Sequence, residues 1–353
     1  MIEDDLRAAF ARHEQLTPST GALRAAIDRL AATRRRRRQR FQAAGVTLAL
    51  LAALGVGVPH LRPEPVVEGQ LLPGRPAAPP SEALNVLLLG VDGFGEEPPY
   101  RLADSVLLVH IPADRSRPYL ISLPRDLEVS IPGRGTDKLN SAFYTGSGEP
   151  RPDLEAGYDL TRRVVADLTG VRVDAGAVLT FAGLRRITDA VDGVEVCLPS
   201  EVRSWHTRRV FPAGCQELDG PASVDLLRQR RYLPDGAIDR DRNAQRYVAG
   251  LIRRAAAQDV LTNPVRLAAL LSAAGRSLTV DDDGLPLTSL VAVLPKLTSV
   301  DPVGLSLPVG PPVDDASRLP LDPKQGPAFL AALREDRLAQ WAEQHPEQVN
   351  RIR

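Results

Sequence analysis

An uncharged apolar stretch preceded by a cluster of arginines divides this chain into two unequal parts. The stretch Phe41 to Val58 reads FQAAGVTLALLAALGVGV, and Arg34 to Arg40 before it reads RRRRRQR. The apolar stretch approaches the ~20 residues that cross a bilayer as a helix. A buried core helix and a cleaved signal peptide are the alternatives, although a signal peptide usually lies at the extreme N-terminus. Because arginine favours the cytoplasmic side, we expect a single-pass transmembrane helix with the N-terminus inside the cell.

This prediction sets the expected domain organisation. We expect a basic cytoplasmic segment over residues 1–40, a transmembrane helix over 41–58, a Pro- and Gly-rich linker over 59–83 and one extracytoplasmic domain over 84–353. The arginines before the helix would also suit nucleic acid, but orienting the helix against anionic lipid explains them with fewer assumptions. We therefore expect a membrane partner and no nucleic acid.

The composition is that of an ordinary globular protein. The 44 Lys and Arg balance 44 Asp and Glu, and 43% of the residues are hydrophobic. This excludes a disordered acidic protein and a globally basic nucleic-acid coat protein. Short apolar runs typical of buried strands cover residues 84–90, 105–111 and 118–123, and helical patterns follow at 159–169, 181–191 and 239–258. The alternation predicts an α/β domain with helices packed on a central sheet.

Two aspartates flank neighbouring strands of this predicted sheet. Asp92 follows the first strand and Asp104 precedes the second, so both carboxylates are expected at one edge of the sheet, where α/β folds usually bind ligands. Mg²⁺ commonly takes one or two carboxylates and fills its other positions with water and phosphate oxygens. For each aspartate taken alone, loop solvation or strand capping is the plainer alternative.

Several arginines are expected near the same edge. Arg125 and Asp126 follow the third strand, Arg228 and Arg230 form an Arg-x-Arg pair, and Arg240 opens the long helix, where backbone N–H groups favour anions. Guanidinium groups beside metal-binding carboxylates would neutralise a pyrophosphate and hold it by bidentate bonds. The sequence contains no Gly-x-Ser-x-Gly elbow, His-Glu-x-x-His helix or P-loop, so a Ser/His hydrolase or zinc protease has no support.

The order of these motifs carries a resemblance to a known family. They read NVLLLGVD at 85–92, ADSVLLVH at 103–110, ISLPRDL at 121–127, IPGRGTDKLNSAF at 131–143 and LRQRRYLPDGAIDRDR at 227–242. From Leu84 to its end the chain resembles the LytR–CpsA–Psr family of cell-wall glycopolymer ligases, and most closely an actinobacterial branch. The resemblance implies an αβα fold with a mixed central sheet.

The resemblance also implies an activity. Members are membrane-anchored enzymes that act outside the cell and move a glycopolymer phosphate from a polyprenyl pyrophosphate carrier to peptidoglycan, with Mg²⁺ assisting. Carried over by position, Asp92 and Asp104 correspond to the metal-site residues. Together with these two aspartates, the catalytic residues would be the phosphate-contacting Arg125, Arg228, Arg230 and Arg240. We further expect that the substrate is bound by Arg101, Asp126, Lys138, Asn140 and Gln245.

The cysteines are compatible with two states. Cys197 and Cys215 would form one small disulfide loop in an exported domain and two reduced thiols in the cytosol. They match the paired cysteine positions of the actinobacterial branch, so the resemblance implies a disulfide.

Two positions depart from the family pattern. Leu102 stands where the family usually has arginine, with Arg101 one place earlier, and Ala244 stands where it tends to have glutamine, with Gln245 next to it. These departures, together with the N-terminal extension, keep open a lipid-pyrophosphate-binding or regulatory protein without turnover. A further alternative keeps the metal site but makes the protein a lipid pyrophosphatase that uses water as the acceptor.

Overall fold

A mixed seven-stranded sheet forms the centre of the domain. We describe a computed structural model of the chain over residues 82–91, 102–148, 153–260, 263–274, 278–281, 300–315 and 317–353. These residues lie in one unit, Pro73–Arg353, and only this unit is described. The predicted cytoplasmic segment and transmembrane helix, almost all of the linker, Asp92 and Arg101 lie outside the described residues. Over the described ranges, no helix combines the length and apolar character needed to cross a bilayer.

The described strands and helices alternate along the chain. The strands are β1 Leu84–Val91, β2 Ala103–Ile111, β3 Tyr119–Ser122, β4 Glu128–Ile131, β5 Gly135–Lys138, β6 Ala175–Thr180, β7 Val194–Leu198, β8 Val202–Arg203, β9 Val210–Phe211, β10 Gly214–Leu218, β11 Leu278–Asp281, β12 Val303–Ser306 and β13 Val349–Asn350. The helices are α1 Asn140–Ser147, α2 Leu154–Thr169, α3 Phe181–Ala190, α4 Gly220–Arg228, α5 Ala237–Ala257, α6 Pro264–Ala274, α7 Gln325–Arg334 and α8 Leu338–Gln344.

The strand order of the central sheet is β11-β6-β1-β2-β3-β12-β13. Strand β2 pairs antiparallel with both β1 and β3, while β1 pairs parallel with β6 and β3 parallel with β12. Strands β1 and β3 therefore run in the same direction, and their carboxyl ends meet the amino end of β2 at one edge. This arrangement confirms the predicted mixed α/β sheet.

One face of the sheet carries a continuous apolar core. Alternate residues of the central strands, such as Leu87, Leu89 and Leu108, point to this face and are almost completely buried. Helices α1, α2, α7 and α8 cover them with side chains that include Phe143, Tyr158, Val164, Phe329 and Trp341. Helix α2 begins at the cap Asp153, whose carboxylate accepts from the N–H groups of Glu155 and Ala156.

The opposite face carries α3, α4 and α5. Helix α3 begins immediately after β6, where the hydroxyl of Thr180 accepts from the N–H of Gly183 and caps the helix. Helix α5 packs against β7, and Gly250 permits this approach because a Cβ there would meet the backbone of Glu195. Strand β7 pairs antiparallel with β10, and the disulfide implied by the resemblance joins Cys197 to Cys215 directly across these strands.

Candidate active site

A cavity of about 800 Å³ lies between the second face of the sheet and the helices that cover it. Its floor includes Val86 and Leu88 of β1, which are half-buried although β1 is a central strand, because their side chains point into this space. The walls are also apolar. They include Leu107, Val109, Ala177, Leu179, Leu184, Ile187, Tyr247, Val248 and Leu251. The cavity can therefore accept hydrocarbon, and its walls offer few polar partners along most of their length.

Charged side chains line the cavity at its polar end. Asp104 comes from β2, Arg125 from the segment after β3, Arg228 and Arg230 from the end of α4 and the residues after it, and Arg240 from the first turns of α5. These residues are far apart in the sequence, yet all five line one cavity. The described members of the predicted catalytic set therefore lie together, while the position of Asp92 is outside the described residues.

A chain of ion pairs fixes Arg125. Its guanidinium donates to Asp104 Oδ1, and its Nε lies 3.4 Å from Asp126 Oδ2. Burial alone would lower the pKa of Arg125, but the two carboxylates outweigh this effect and raise it. Lys138, on β5, places its Nζ 2.8 Å from Asp126 Oδ1. Asp126 thus holds Arg125, and Lys138 holds Asp126 in turn. Neither Asp126 nor Lys138 is among the residues that line the cavity.

Arg230 and Arg240 add positive charge to the same space. Burial lowers the pKa of Arg230, and the neighbouring cations Arg125 and Arg240 lower it further. A concentration of like charge of this kind attracts a polyanion. Arg240 is only 5% exposed and forms an ion pair with Asp241 at 2.9 Å.

Sequence reasoning missed Asp241. This carboxylate is 6% exposed, and burial raises its pKa, an effect that the ion pair with Arg240 offsets only in part. The sequence Arg240-Asp241-Arg242 could have indicated it, because an arginine buried at the site requires an acceptor beside it and Asp241 is the next residue. The flanking Arg242 points elsewhere, to Asp235 at 2.7 Å and Asp239 at 2.8 Å.

The Arg-x-Arg pair begins on a helix and ends in the segment after it. Arg228 is the last residue of α4, and its guanidinium carbon lies 5.3 Å from the centre of the Phe181 ring. The intervening Gln229 is extended and completely buried, and its side-chain oxygen accepts from the N–H of Trp205. Trp205 lines the cavity as well, and sequence reasoning also missed it.

Two predicted substrate contacts lie in the interior. Gln245 is completely buried, and the two N–H donors on its Nε2 are shared among Leu120 O, Ser122 Oγ and Leu305 O at 2.7–3.0 Å. Its Oε1 accepts from Asn350 at 2.9 Å, so Gln245 joins α5 to three strands and the assignment as a substrate contact is corrected. Asn140 is also buried, at the start of α1, and its backbone N–H donates to Arg125 O.

The donor set at the cavity is compatible with Mg²⁺. Asp104 supplies a partly exposed carboxylate, and Mg²⁺ needs only one or two protein carboxylates when phosphate oxygens complete its shell. The described residues contain no group of three or more acidic, histidine or cysteine side chains placed to hold a metal. A cation here would therefore depend on Asp104, Asp92 and the phosphates of a ligand.

Comparisons with known proteins agree on one family. A model of the LytR–CpsA–Psr family matches residues 65–306. The cell wall biosynthesis protein LcpA of Corynebacterium glutamicum is 32% identical over 222 residues, 58% of this chain and 43% of that protein. The polyisoprenyl-teichoic acid–peptidoglycan teichoic acid transferase TagU of Oceanobacillus iheyensis is 28% identical over 182 residues, 51% of this chain and 54% of that protein.

A solved structure shares the fold. The structure of TagT bound to LI-WTA covers 72% of this chain and 90% of its own, with a TM-score of 0.56 at 21% identity. At this identity the likeness shows the fold alone. The chain spans about half the length of the curated relatives that it matches.

Proposed function

This chain belongs to the LytR–CpsA–Psr family, and from that premise we propose that it transfers a glycopolymer phosphate from a polyprenyl pyrophosphate carrier to peptidoglycan. The observation that carries the proposal is one cavity with an apolar body and an arginine-rich end. Such a cavity matches a molecule with a hydrocarbon tail and a diphosphate head. Each CH₂ of the tail that leaves water contributes about 0.8 kcal/mol to binding.

The transfer requires positioning and charge neutralisation more than a dedicated nucleophile. A hydroxyl of the acceptor attacks the phosphorus next to the glycan and forms a new P–O bond. The bond from this phosphorus to the bridging oxygen breaks, and polyprenyl phosphate leaves with the electron pair. Arg125, Arg228, Arg230 and Arg240 stabilise the charge that develops on the phosphates. The hydroxyl proton passes to a carboxylate. Asp104 lines the cavity and is the described candidate, whereas Asp126 does not line it.

We propose Mg²⁺ as the cofactor, held by Asp104 and Asp92. When bound, it would neutralise part of the diphosphate charge. Chelation with EDTA is expected to abolish transfer and added Mg²⁺ to restore it. Activity that persists unchanged in EDTA would exclude this cofactor.

We also propose that residues 41–58 anchor the chain in the cell membrane, with the main domain outside the cell. Support comes from the uncharged stretch and the arginines that precede it. Protease treatment of intact and lysed cells tests the orientation, because the domain is expected to be digested from outside while residues 1–40 are protected.

The test of the function separates binding from transfer. The full-length protein is given lipid-linked pyrophosphate glycan, peptidoglycan fragments and Mg²⁺, and the glycan attached to the fragments is measured. Absence of transfer, with lipid binding demonstrated on the same sample, would exclude the enzyme. Release of glycan phosphate without attachment would identify a pyrophosphatase.

A pair of variants tests the apolar part of the cavity. Ala177 on β6 is paired with Leu88 on β1, and both line the cavity, so Ala177→Phe narrows it. The control Ala190→Phe adds the same ring at an exposed position. Ala177→Phe is expected to weaken binding of a long-chain prenyl pyrophosphate by about tenfold or more, since two displaced CH₂ groups already account for ~1.6 kcal/mol. Binding of a short-chain analogue should change little, and Ala190→Phe should bind both normally.

One observation supports a second candidate, a binding protein without turnover. Ala244 lines the cavity, so the glutamine that the family resemblance implies at this position would add an amide beside the arginines. If the native chain binds the lipid without transfer, Ala244→Gln combined with Leu102→Arg is expected to create activity. An inactive double variant with normal lipid binding would exclude this explanation of the missing turnover.

A further inference from the structure

The two exposed aromatic rings among the described large apolar side chains lie together beside the cavity. Trp205 is 38% exposed and Tyr232 is 67% exposed, and their ring centres are 5.6 Å apart. Trp205 lies between β8 and β9, and Tyr232 lies in the segment between α4 and α5. Exposed apolar groups that lie together and are rimmed by polar residues mark interaction sites, so this pair of rings indicates a contact surface.

Arginines surround these rings. The guanidinium carbon of Arg231 lies 4.6 Å from the Trp205 ring centre, and that of Arg208 lies 5.5 Å away. We call the surface formed by Trp205, Arg208, Arg231 and Tyr232 the mouth patch. Arg231 and Trp205 also line the cavity, so the mouth patch is continuous with the arginine-rich end of the apolar space.

Buried polar groups hold the mouth patch in place. Asp225 is 5% exposed and accepts from the hydroxyls of Ser204, at 2.6 Å, and Thr207. Gln229 accepts from the backbone N–H of Trp205 at 2.8 Å. The segment that carries Trp205 is therefore fixed from beneath while its ring stays exposed.

We infer that the mouth patch docks on the surface of an anionic lipid membrane. Trp and Tyr prefer the interface between water and hydrocarbon, and arginines near an anionic leaflet are attracted to its headgroups. Docking at this place would bring the arginine-rich end of the cavity next to the headgroup layer, where the diphosphate of a prenyl carrier lies. A sugar is the weaker candidate for this surface, because the indole ring already packs against two guanidinium groups and Tyr232. The docking does not depend on the transfer reaction and can be tested without it.

Fluorescence of the full-length protein in lipid vesicles tests this inference. Trp205 and Trp341 are the two tryptophans, and Trp341 is buried in the core on the other face of the sheet. Emission is measured in vesicles of phosphatidylcholine and phosphatidylglycerol that carry a nitroxide either near the headgroup or deep in the acyl chain. We expect the shallow nitroxide to quench Trp205 more than the deep one. The quenched component should disappear in Trp205→Phe and remain in Trp341→Phe.

Variants that reverse the charge of the mouth patch are measured in the same quenching experiment. Each arginine near an anionic surface strengthens binding about fivefold. Arg208→Glu combined with Arg231→Glu is therefore expected to reduce quenching to the level of Trp205→Phe. Arg163→Glu combined with Arg337→Glu changes the charge equally at exposed positions on α2 and before α8, and should retain the quenching. Trp205 emission that no lipid-borne nitroxide alters would overturn the inference. Emission that responds to lipid-free anionic glycan but to no vesicle would assign the mouth patch to the glycan instead.

Discussion

The guanidinium of Arg125 donates from Nη1 to Oδ1 of Asp104, and so joins the segment after β3 to the start of β2 at the charged end of the cavity. The same guanidinium reaches Asp126 through Nε. One planar cation is therefore held by two carboxylates before any ligand arrives. Such preorganisation is what phosphoryl transfer needs, because little reorganisation remains when charge develops.

Replacing Arg125 by lysine tests this preorganisation. Arg125→Lys keeps the charge but loses the fork that can bind two partners and a phosphate together. We expect the transfer rate to fall roughly ten- to hundredfold, which corresponds to ~1.5–3 kcal/mol in the barrier. Single-turnover transfer from a lipid-linked substrate measures this loss. The matched control is Arg163→Lys, an exposed arginine on α2, and an equal loss in both variants would contradict the assignment.

Gln245→Leu is expected to destabilise the fold. The substitution leaves three acceptors on β3 and β12 and the amide of Asn350 without their common partner. Each unsatisfied buried group costs about 1–3 kcal/mol, so the free energy of unfolding should fall by ~3 kcal/mol or more. This loss of unfolding free energy is measured by urea titration with circular dichroism as the readout.

A matched control uses a second glutamine at the end of the same helix. Gln258 caps the carboxyl end of α5, and its side chain donates to Val191 O at 2.8 Å from a half-buried position. Gln258→Leu should cost only about 1 kcal/mol. If Gln245→Leu kept full stability but lost lipid binding, Gln245 would be a substrate contact and its assignment as a link between α5 and the sheet would be wrong.

Gln245 and Ala244 also show where sequence reasoning reached its limit. The spans of β1, β2, β3 and α5 were predictable within a few residues from apolar periodicity, and so was the meeting of Asp104 with Arg125 at one sheet edge. Consecutive residues of a helix differ by about 100° around its axis. Ala244 therefore lines the cavity, whereas the next residue, Gln245, lies buried in the interior. Only the packing of α5 on the sheet decides which residue faces which side.

The cavity itself was not predictable. Val86 and Leu88 alternate with Leu87 and Leu89 on one strand, and all four are apolar. The first pair lines an open space and the second pair packs against helices. A sheet face that lines a cavity and one that packs against helices have the same apolar composition. The distance between the face and its covering helix is set by residues far along the chain, so the strand sequence alone does not reveal the cavity.

Reduction of the Cys197–Cys215 disulfide is expected to lower stability without abolishing the site. The bond joins paired strands across a sequence separation of 18 residues, for which the chain-entropy relation gives about 3 kcal/mol. Unfolding in urea with and without dithiothreitol measures the difference. The variant Cys197→Ala with Cys215→Ala should already show the lower stability and no further response to dithiothreitol. An equal dithiothreitol effect in that variant would show that the loss has another origin.

His110 is expected to make stability depend on pH. It is 1% exposed on β2, with Nδ1 2.8 Å from Asn85 Oδ1 and Nε2 2.8 Å from Asp336 Oδ1. Burial lowers the pKa of His110, and Asp336 offsets only part of this effect. The unfolded chain, with a histidine pKa of about 6.5, therefore binds the proton more readily than the folded chain.

The stability contributed by His110 is thus fully present above the unfolded pKa and is lost as the pH falls from there through the lowered pKa of the folded state. We expect the free energy of unfolding of the native chain to decrease on acidification below about pH 6.5. His110→Gln, which cannot take up the proton, should have a smaller slope over the same window. Urea titrations at closely spaced pH values measure both slopes, and identical slopes for the two proteins would assign the acid sensitivity to other groups.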